Sequence, residues 1–362
     1  MDNTRHLSCC VRNHCIALHK KYYSLYKKHL NRFQLQRHLT KVKQRYKHEW
    51  KQLDAQSIQD IVDRIEKGFQ LFFLEKKKGN KRIQRPTFRK SSKYYSFTLK
   101  QTGWKLTKEN EIQIQGKRFR FWKSRPLIGT IKTVTLKKDR VGDWYVCFSL
   151  VTNETPLVYA ATGRTVGVDF GLKTFLTLSD GSVIQSPKFF KRNSKLLKRL
   201  SQKFATKKIG SNNRKKAIID IARLHRKTTN QRKNFHWQTA NSLAKTFDVV
   251  CLEDLSMNGI SSLWGGRASE LGFGAFRSIA EHLFAKRGKK LVKVDRWYPS
   301  SKTCSSCGWI YKDLSLSQRE WACQECGTLL DRDLNASINI EREGVRICTL
   351  AGEFVRQPVM VA

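Results

Sequence analysis

Acidic residues are scarce in this sequence. It carries 29 Asp and Glu against 71 Lys and Arg over 362 residues, a formal charge of +42. An excess this large exceeds what solubility needs and points to a polyanionic partner, most simply nucleic acid. No apolar run reaches membrane-spanning length, and the first residues carry no signal-peptide pattern, so a cytosolic protein without a membrane partner is expected. Six of the ten cysteines (Cys9, Cys10, Cys15, Cys147, Cys251 and Cys348) lack any framework spacing. That excludes a disulfide-built scaffold and suits a reducing compartment. A dedicated tyrosine-nucleophile motif is also missing. Tyr298 beside Pro299 reads as core or turn, which argues against a transposase performing strand transfer by itself.

The other four cysteines form the strongest pattern. Cys304/Cys307 and Cys323/Cys326 are two Cys-x-x-Cys pairs, the spacing of a zinc ribbon. Zinc takes four soft ligands in a tetrahedron, and two short knuckles supply them. Gly308 and Gly327 follow the pairs, where a knuckle turn needs a residue that tolerates positive φ.

The hydrophobic content of 40% is enough for real cores. Residues 1 to about 75 read helical, with apolar positions such as Ile16, Tyr22 and Tyr26, then Ile58, Ile61, Val62, Ile65 and Phe69, at helical spacing. One helix is expected to start at Asp54 to Gln59 and to approach its end between Gly68 and Phe73. Residues 76 to 93 are a basic loop carrying Arg85 and Arg89, suited to phosphates. From Tyr94 to about Leu157 the period becomes two, in runs around Phe97, Ile112, Val134 and Val146, and a small antiparallel barrel is expected.

An apolar strand then carries Asp169, followed by a hairpin with an Asp180-Gly181 turn. A long basic helical region from Lys188 to about Phe247 holds Lys207, Lys208, Arg214, Lys215 and Lys216. The strand at Val249 ends in Glu253, and residues 259 to 274 are glycine-rich and read as mobile. Asp331-Arg332-Asp333 opens a last helix, and residues after about Glu343 carry no clear pattern.

A strand-borne acid, an acid ending a later strand and a third acid opening a C-terminal helix describe an RNase H-like arrangement. Three carboxylates from separate elements can share two Mg²⁺ ions, the pair that supports phosphodiester hydrolysis. The assignments are Asp169, Glu253 and Asp333 as catalytic magnesium ligands, with Asp331 as the competing neighbour of Asp333.

These segments carry a family resemblance. Gly167-Val-Asp-Phe-Gly-Leu172, Val250-Cys-Leu-Glu-Asp-Leu255, Pro299-Ser-Ser-Lys-Thr-Cys-Ser-Ser-Cys-Gly308, Arg319-Glu-Trp321 and Asp331-Arg-Asp-Leu-Asn-Ala336 resemble TnpB, the transposon-encoded RNA-guided endonuclease with a zinc ribbon, and more distantly the compact type V CRISPR effectors. Arg85-Pro-Thr-Phe88 and the region from Ser211 to Lys216 fit as well.

The resemblance implies an α/β multidomain protein: a RuvC nuclease domain with an inserted zinc ribbon, preceded by a helical recognition lobe and a wedge-type barrel. The expected boundaries are 1–93 for the lobe and linker, 94–160 for the wedge, 161–303 and 329–345 for the nuclease domain, 304–328 for the ribbon and 346–362 for a tail. It implies a guide RNA from the transposon end and a double-stranded DNA target cut beside a short flanking motif. The protein would work as a monomer with its RNA, in the prokaryotic cytosol at the nucleoid. Family members usually begin with a wedge strand, whereas this sequence enters its Cys-rich helix near Ser8. A missing strand would favour the alternative of an RNA-guided DNA-binding regulator with little or no cleavage.

Overall fold

The structure is a computed structural model and describes all residues except 46–47, 81, 153–160, 172–173, 256–269, 316–317 and 353–362. The chain divides into two compact units, Met1–Glu154 and Thr155–Ala362.

The first unit opens with helices α1 (Asp2–Tyr26), α2 (Arg32–Arg45) and α3 (Ala55–Lys77). Asp54 caps α3 by accepting from the Gln56 amide, an N-cap of the kind that satisfies an orphan donor of the first turn. The helix runs past Phe73 to Lys77, because Lys76 and Lys77 at its C-terminus complement the helix dipole. Val11, Ile16, Leu35, Leu39, Ile61 and Val62 make the helical core.

Strands β1 (Ser96–Leu99), β2 (Trp104–Lys108), β3 (Glu111–Ile114), β4 (Lys117–Arg120), β5 (Thr130–Lys138) and β6 (Trp144–Val151) follow. They form two three-stranded sheets, β1-β5-β6 and β2-β3-β4, whose inward residues share one core around Phe97, Ile112 and Val134. Among the described residues no ladder joins the two sheets, so the expected barrel is not closed. The connection from β1 to β2 is tied to α3 instead, where the Gln56 side chain accepts from the Gln101 and Thr102 amides and Asp63 pairs with Lys100 at 2.6 Å.

The second unit is built on β7 (Thr165–Phe170), β8 (Thr174–Leu178), β9 (Val183–Gln185), β10 (Val249–Glu253) and β11 (Lys290–Val294). Their order is β11-β10-β7-β8-β9, with β11, β10 and β7 mutually parallel and the β7–β8 and β8–β9 pairs antiparallel. The expected hairpin is β8–β9, turning at Gly181 with φ of +85°. Helices α4 (Phe189–Ala205), α5 (Asn212–Thr246), α6 (Phe273–Lys286) and α7 (Arg332–Leu350) complete it, with the short strands β12 (Glu320–Ala322) and β13 (Leu329–Asp331). The long basic region is thus two helices, and α5 restarts at Ser211, whose side chain accepts from the Arg214 amide. The glycine-rich stretch expected to be mobile lies, up to residue 269, outside the described residues.

Alternation along the strands assigns the two faces of this sheet. Val166, Val168, Val250 and Leu252 pack with residues of α5 and α6 in one core. Val249, Cys251 and Val294 pack with Ile340 and Cys348 of α7 on the other. Helix α7 comes unusually close. A Cβ on Gly167 would lie 1.9 Å from the Ser337 carbonyl oxygen, and one on Gly344 would lie 2.2 Å from Cys251 Sγ. The region after Glu343, read as patternless, therefore continues α7 to Leu350, because Gly344 and Cys348 extend its sheet-facing stripe.

Candidate active site and thiol cluster

The period of two that builds the core also aims the acids. Asp169 is two residues beyond Gly167 on β7, and Glu253 two beyond Cys251 on β10, so both belong to the face covered by α7. The parallel ladder pairs Cys251 with Gly167 and Leu252 with Val168. Asp169 and Glu253 follow immediately on their strands, at the carboxyl ends where open α/β sheets bind ligands. Asp333 lies in the first turn of α7.

Electrostatics ties the three together. Burial first, then the charges of Asp333 and Glu253, push the Asp169 carboxyl up to about 7. Burial pushes Glu253 up to about 7 as well. For Asp169 the charge of Arg332 offsets this only in part, and such shifts mark carboxylates whose burial outweighs any counter-charge. Asp333 has one, because Arg319 Nη1 lies 3.1 Å from its Oδ1.

The neighbouring acids have structural partners. Asp331 caps α7 by accepting from the Leu334 amide at 2.8 Å. Asp254 is held by Arg277 at 2.7 Å and Arg296 at 3.2 Å. Past β11, the Asp295 side chain accepts from the Trp297 amide at 2.8 Å and its carbonyl from the Tyr298 amide at 3.1 Å. This turn presents Trp297 at 84% exposure, three residues after Val294, the ladder partner of Glu253.

The four predicted thiols converge. Cys304 and Cys326 Sγ are 3.7 Å apart, and Cys307 and Cys323 Sγ 3.6 Å. A tetrahedron with Zn–S bonds of about 2.3 Å has edges of about 3.8 Å, so the set fits zinc. The two knuckles repeat one geometry. Gly308 and Gly327 donate to the Cys304 and Cys323 carbonyls, each at 2.9 Å and with φ of +85° and +72°. The Thr328 side chain, 3.2 Å from Cys326 Sγ, pulls that thiol down to about 6. Among the described residues this is the group of three or more potential metal ligands whose ligand atoms all lie within 4.8 Å of one another; the three carboxylates are spread more widely.

The basic candidates divide by role. Arg85 and Arg89 are exposed, on a loop whose backbone is fixed to α1: Arg12 donates to the Thr87 carbonyl at 2.7 Å and Asn13 to that of Arg89 at 2.8 Å. Lys208, Lys215 and Lys216 are exposed, and Lys207 is half-buried. Arg214 braces the α4–α5 corner, donating to the Lys207 carbonyl at 2.8 Å and stacking 4.0 Å from the Phe204 ring.

Sequence reasoning missed a cleft of about 630 Å³ in the first unit, lined by Phe33, Gln36, Arg37, Lys43, Lys51 and Gln59 among others, with no acid among its described lining residues. Arg319, Asn335 and Asn339 were also unassigned. Arg319 and Asn335 lie inside motifs already singled out; Asn339 had no separate signal.

Two family models match the chain: one described as a probable transposase over residues 148–263, and the Cas12f1-like TNB domain over residues 273–340. A Streptomyces pristinaespiralis protein named as an RNA-guided DNA endonuclease is 33% identical over 83% of this chain and 73% of its own length. The Escherichia coli K12 protein InsQ, named in the same way, is 28% identical over 83% and 77%. A TnpB-like protein of Acanthamoeba polyphaga mimivirus, L770, is 32% identical over 62% of this chain and 45% of its own. The fold resembles that of Cas12f1 in a complex with guide RNA and target DNA, with a TM-score of 0.59, 16% identity and coverage of 94% of this chain and 81% of that one. With a third of the aligned residues shared over most of both chains, the protein belongs to the TnpB family of RNA-guided DNA endonucleases.

Proposed function

We propose that this chain is an RNA-guided, magnesium-dependent endonuclease that cuts double-stranded DNA beside a short flanking motif. The observation that carries the site is that Asp169 and Glu253, at the ends of adjacent parallel strands, are both pushed up to about 7, with Asp333 near enough to contribute to the rise of Asp169. The reading of the second unit is a RuvC nuclease domain, 161–303 and 329–345, with a zinc ribbon at 304–328. The helical lobe, 1–93, and the wedge sheets, 94–160, would hold RNA and DNA.

The donor set suits Mg²⁺, a hard cation that prefers carboxylate oxygen. When bound, it supplies charge for the attacking and leaving oxygens of phosphodiester hydrolysis. Asp169, Glu253 and Asp333 would hold it. Arg319 holds Asp333 at the rim of the site. Trp297 offers a face on which a base of the incoming strand can stack.

The exposed Arg85, Arg89, Lys208, Lys215 and Lys216 would neutralise phosphates. In the cleft of the first unit, Gln36 and Gln59 amides could read base edges while Arg37, Lys43 and Lys51 meet the backbone. That makes the cleft our candidate for recognition of the flanking motif.

The test is cleavage of a plasmid library with randomised flanks, with the protein co-expressed with RNA from its own transposon end. Cuts that follow the guide, require Mg²⁺ and vanish in Asp169→Ala are expected. Guide-directed DNA binding without products would overturn the nuclease reading in favour of a regulator.

A further inference from the structure

Between β11 and the thiol cluster, the backbone around residues 300–305 is gripped by one face of α7. Asn335 Oδ1 accepts from the Ser305 amide at 2.8 Å, and its Nδ2 donates to the Thr303 carbonyl at 2.8 Å. Asn339 Nδ2 donates to the carbonyls of Ser300 at 2.8 Å and Thr303 at 2.6 Å. Arg342 donates to the Ser305 carbonyl. These positions, i, i+4 and i+7, form one helical stripe. Asn335 and Asn339 are 1% and 2% exposed. Buried amides are costly unless satisfied; Asn335 is satisfied by the Cys304 knuckle and the residue before it, and Asn339 by the segment leading into that knuckle.

The first turn of α7 is held from the ribbon's other end too. The Arg332 amide donates to the Arg319 carbonyl at 2.7 Å, and the Arg332 side chain to the Ser315 carbonyl at 2.8 Å. Strand β13 ends at Asp331, the N-cap of α7. Asp333 lies between these two anchors. The first turn of α7, and with it the third carboxylate, is therefore held by the ribbon as well as by the sheet beneath the helix, and a cluster of four thiols depends on its metal for order.

We propose that the thiol cluster and the carboxylate site are thermodynamically coupled, with Asn335 and Asn339 as the positioning residues that transmit the coupling. This rests on the reading of Asp169, Glu253 and Asp333 as a divalent-cation site. Zinc at the four thiols would fix the knuckle, the two amides hold α7 to the knuckle and to the segment leading into it, and α7 carries Asp333 within electrostatic reach of Asp169. Loss of zinc leaves the chemistry of the carboxylates intact but loosens their spacing, so it weakens cation binding. Linkage is reciprocal: a cation at the carboxylates tightens zinc binding by the same factor.

The experiment measures Mn²⁺ binding by electron paramagnetic resonance on the full chain with its RNA, zinc-loaded and zinc-depleted. The wild type, Asn335→Ala, Asn339→Asp and Asp169→Ala are compared, and zinc is measured per chain. Asn339→Asp keeps the shape and removes the two donors. Zinc-depleted wild type is expected to bind Mn²⁺ roughly 5- to 100-fold more weakly than the zinc-loaded form, the usual range of coupling between sites. The two Asn variants should retain zinc but lose that dependence, and need more Mg²⁺ for half-maximal cleavage with a nearly unchanged plateau rate. A merely stabilising role would lower their melting temperatures and leave the Mn²⁺ constants alone.

Equal Mn²⁺ affinity in zinc-loaded and zinc-depleted wild type overturns the coupling. That comparison needs no variant to fold. Zinc dependence that persists in both Asn variants overturns their role. If Mn²⁺ binding is insensitive to Asp169→Ala, the carboxylate reading itself fails and the proposal falls with it.

Discussion

Gly167 on β7 and Ser337 on α7 are in backbone contact: a Cβ on the glycine would sit 1.9 Å from the Ser337 carbonyl oxygen and 2.5 Å from the Glu341 nitrogen. Around this contact, Glu341 accepts from the hydroxyls of Thr165 and Ser179, the latter at 2.6 Å, and Ser179 Oγ in turn accepts from the Gly167 amide at 3.0 Å. Helix and strand are thus locked one turn from Asp333 and two residues from Asp169. Gly167→Ala is expected to push α7 from the sheet, costing about 1–3 kcal/mol as overpacking does. Because the displaced element carries Asp333, one acid of the proposed site, cleavage should fall more than tenfold even where the protein remains folded. Melting by circular dichroism and single-turnover cleavage check it; a variant that melts lower yet cuts at the wild-type rate would contradict the positioning argument.

The two raised carboxylates make a pH prediction with a definite sign. Asp169 and Glu253 titrate near 7 in the fold, against about 4 in an unfolded chain. Between about pH 4 and pH 7 the folded state holds more protons than the unfolded one, so metal-free stability falls as pH rises through that window and levels off above it. Asp169→Asn removes one of the buried charges. It should stabilise the metal-free protein at pH 8, by on the order of 1–3 kcal/mol, and change little at pH 4, while abolishing cleavage. Raising Mg²⁺ should also move the midpoint of the pH–rate profile downward, because metal competes with the proton for the same oxygens. Calorimetry of the variant at both pH values is decisive: destabilisation at pH 8 would show that these acids are not held against an unfavourable charge.

What the sequence made legible was whatever repeats at short range. The Cys-x-x-Cys spacing located all four thiols, and a lone acid in an apolar strand singled out Asp169 and Glu253; that both share the face covered by α7 emerges only from the packing of Val166, Val168, Val250 and Leu252 on the opposite side. The adjacent Asp254 is set apart only by the structure, where it pairs with Arg277 and Arg296. Long-range pairing was not legible. Nothing local announces that Arg319 meets Asp333, 14 residues away, or that Asn335 and Asn339 satisfy backbone more than 30 residues earlier. Strands β2 and β4, rich in Lys and Arg, hid their period, and the open pair of sheets depends on a glutamine of α3 that capped the β1–β2 connection. The end of α7 was missed because Gly344 looks like a helix breaker in sequence, while its contact with Cys251 is what lets the helix stay close.

Cys323→Ser should bring bound zinc below one per chain, read by atomic emission, and lower the melting temperature of the zinc-loaded protein. Cys323 is buried beside Trp321, Leu330 and Leu314 in the small core around the thiol cluster. A core of this size does not hold two knuckles without a metal cross-link. Unchanged zinc content would mean that three thiols suffice or that the metal binds elsewhere.

Trp297 exposes a large apolar surface at the carboxylate end of the sheet, 84% accessible, on a backbone held by the Asp295 turn beside the Arg296–Asp254 pair. Under the proposed function, an exposed indole on a backbone held by that turn, three residues past the ladder partner of Glu253, would stack on a base of the strand being cut. Stacking contributes about 1–3 kcal/mol per base by alanine substitution. Trp297→Ala should therefore raise the target-strand concentration for half-maximal cleavage by roughly 5- to 100-fold and leave the plateau rate within a few-fold, because the carboxylates are untouched. Trp297→Phe keeps an aromatic face and should retain most of the affinity. A fluorescent base analogue placed along the single strand should report quenching at one position that Trp297→Ala abolishes. If alanine and phenylalanine behave alike, the indole contributes no stacking, and its exposure has another cause.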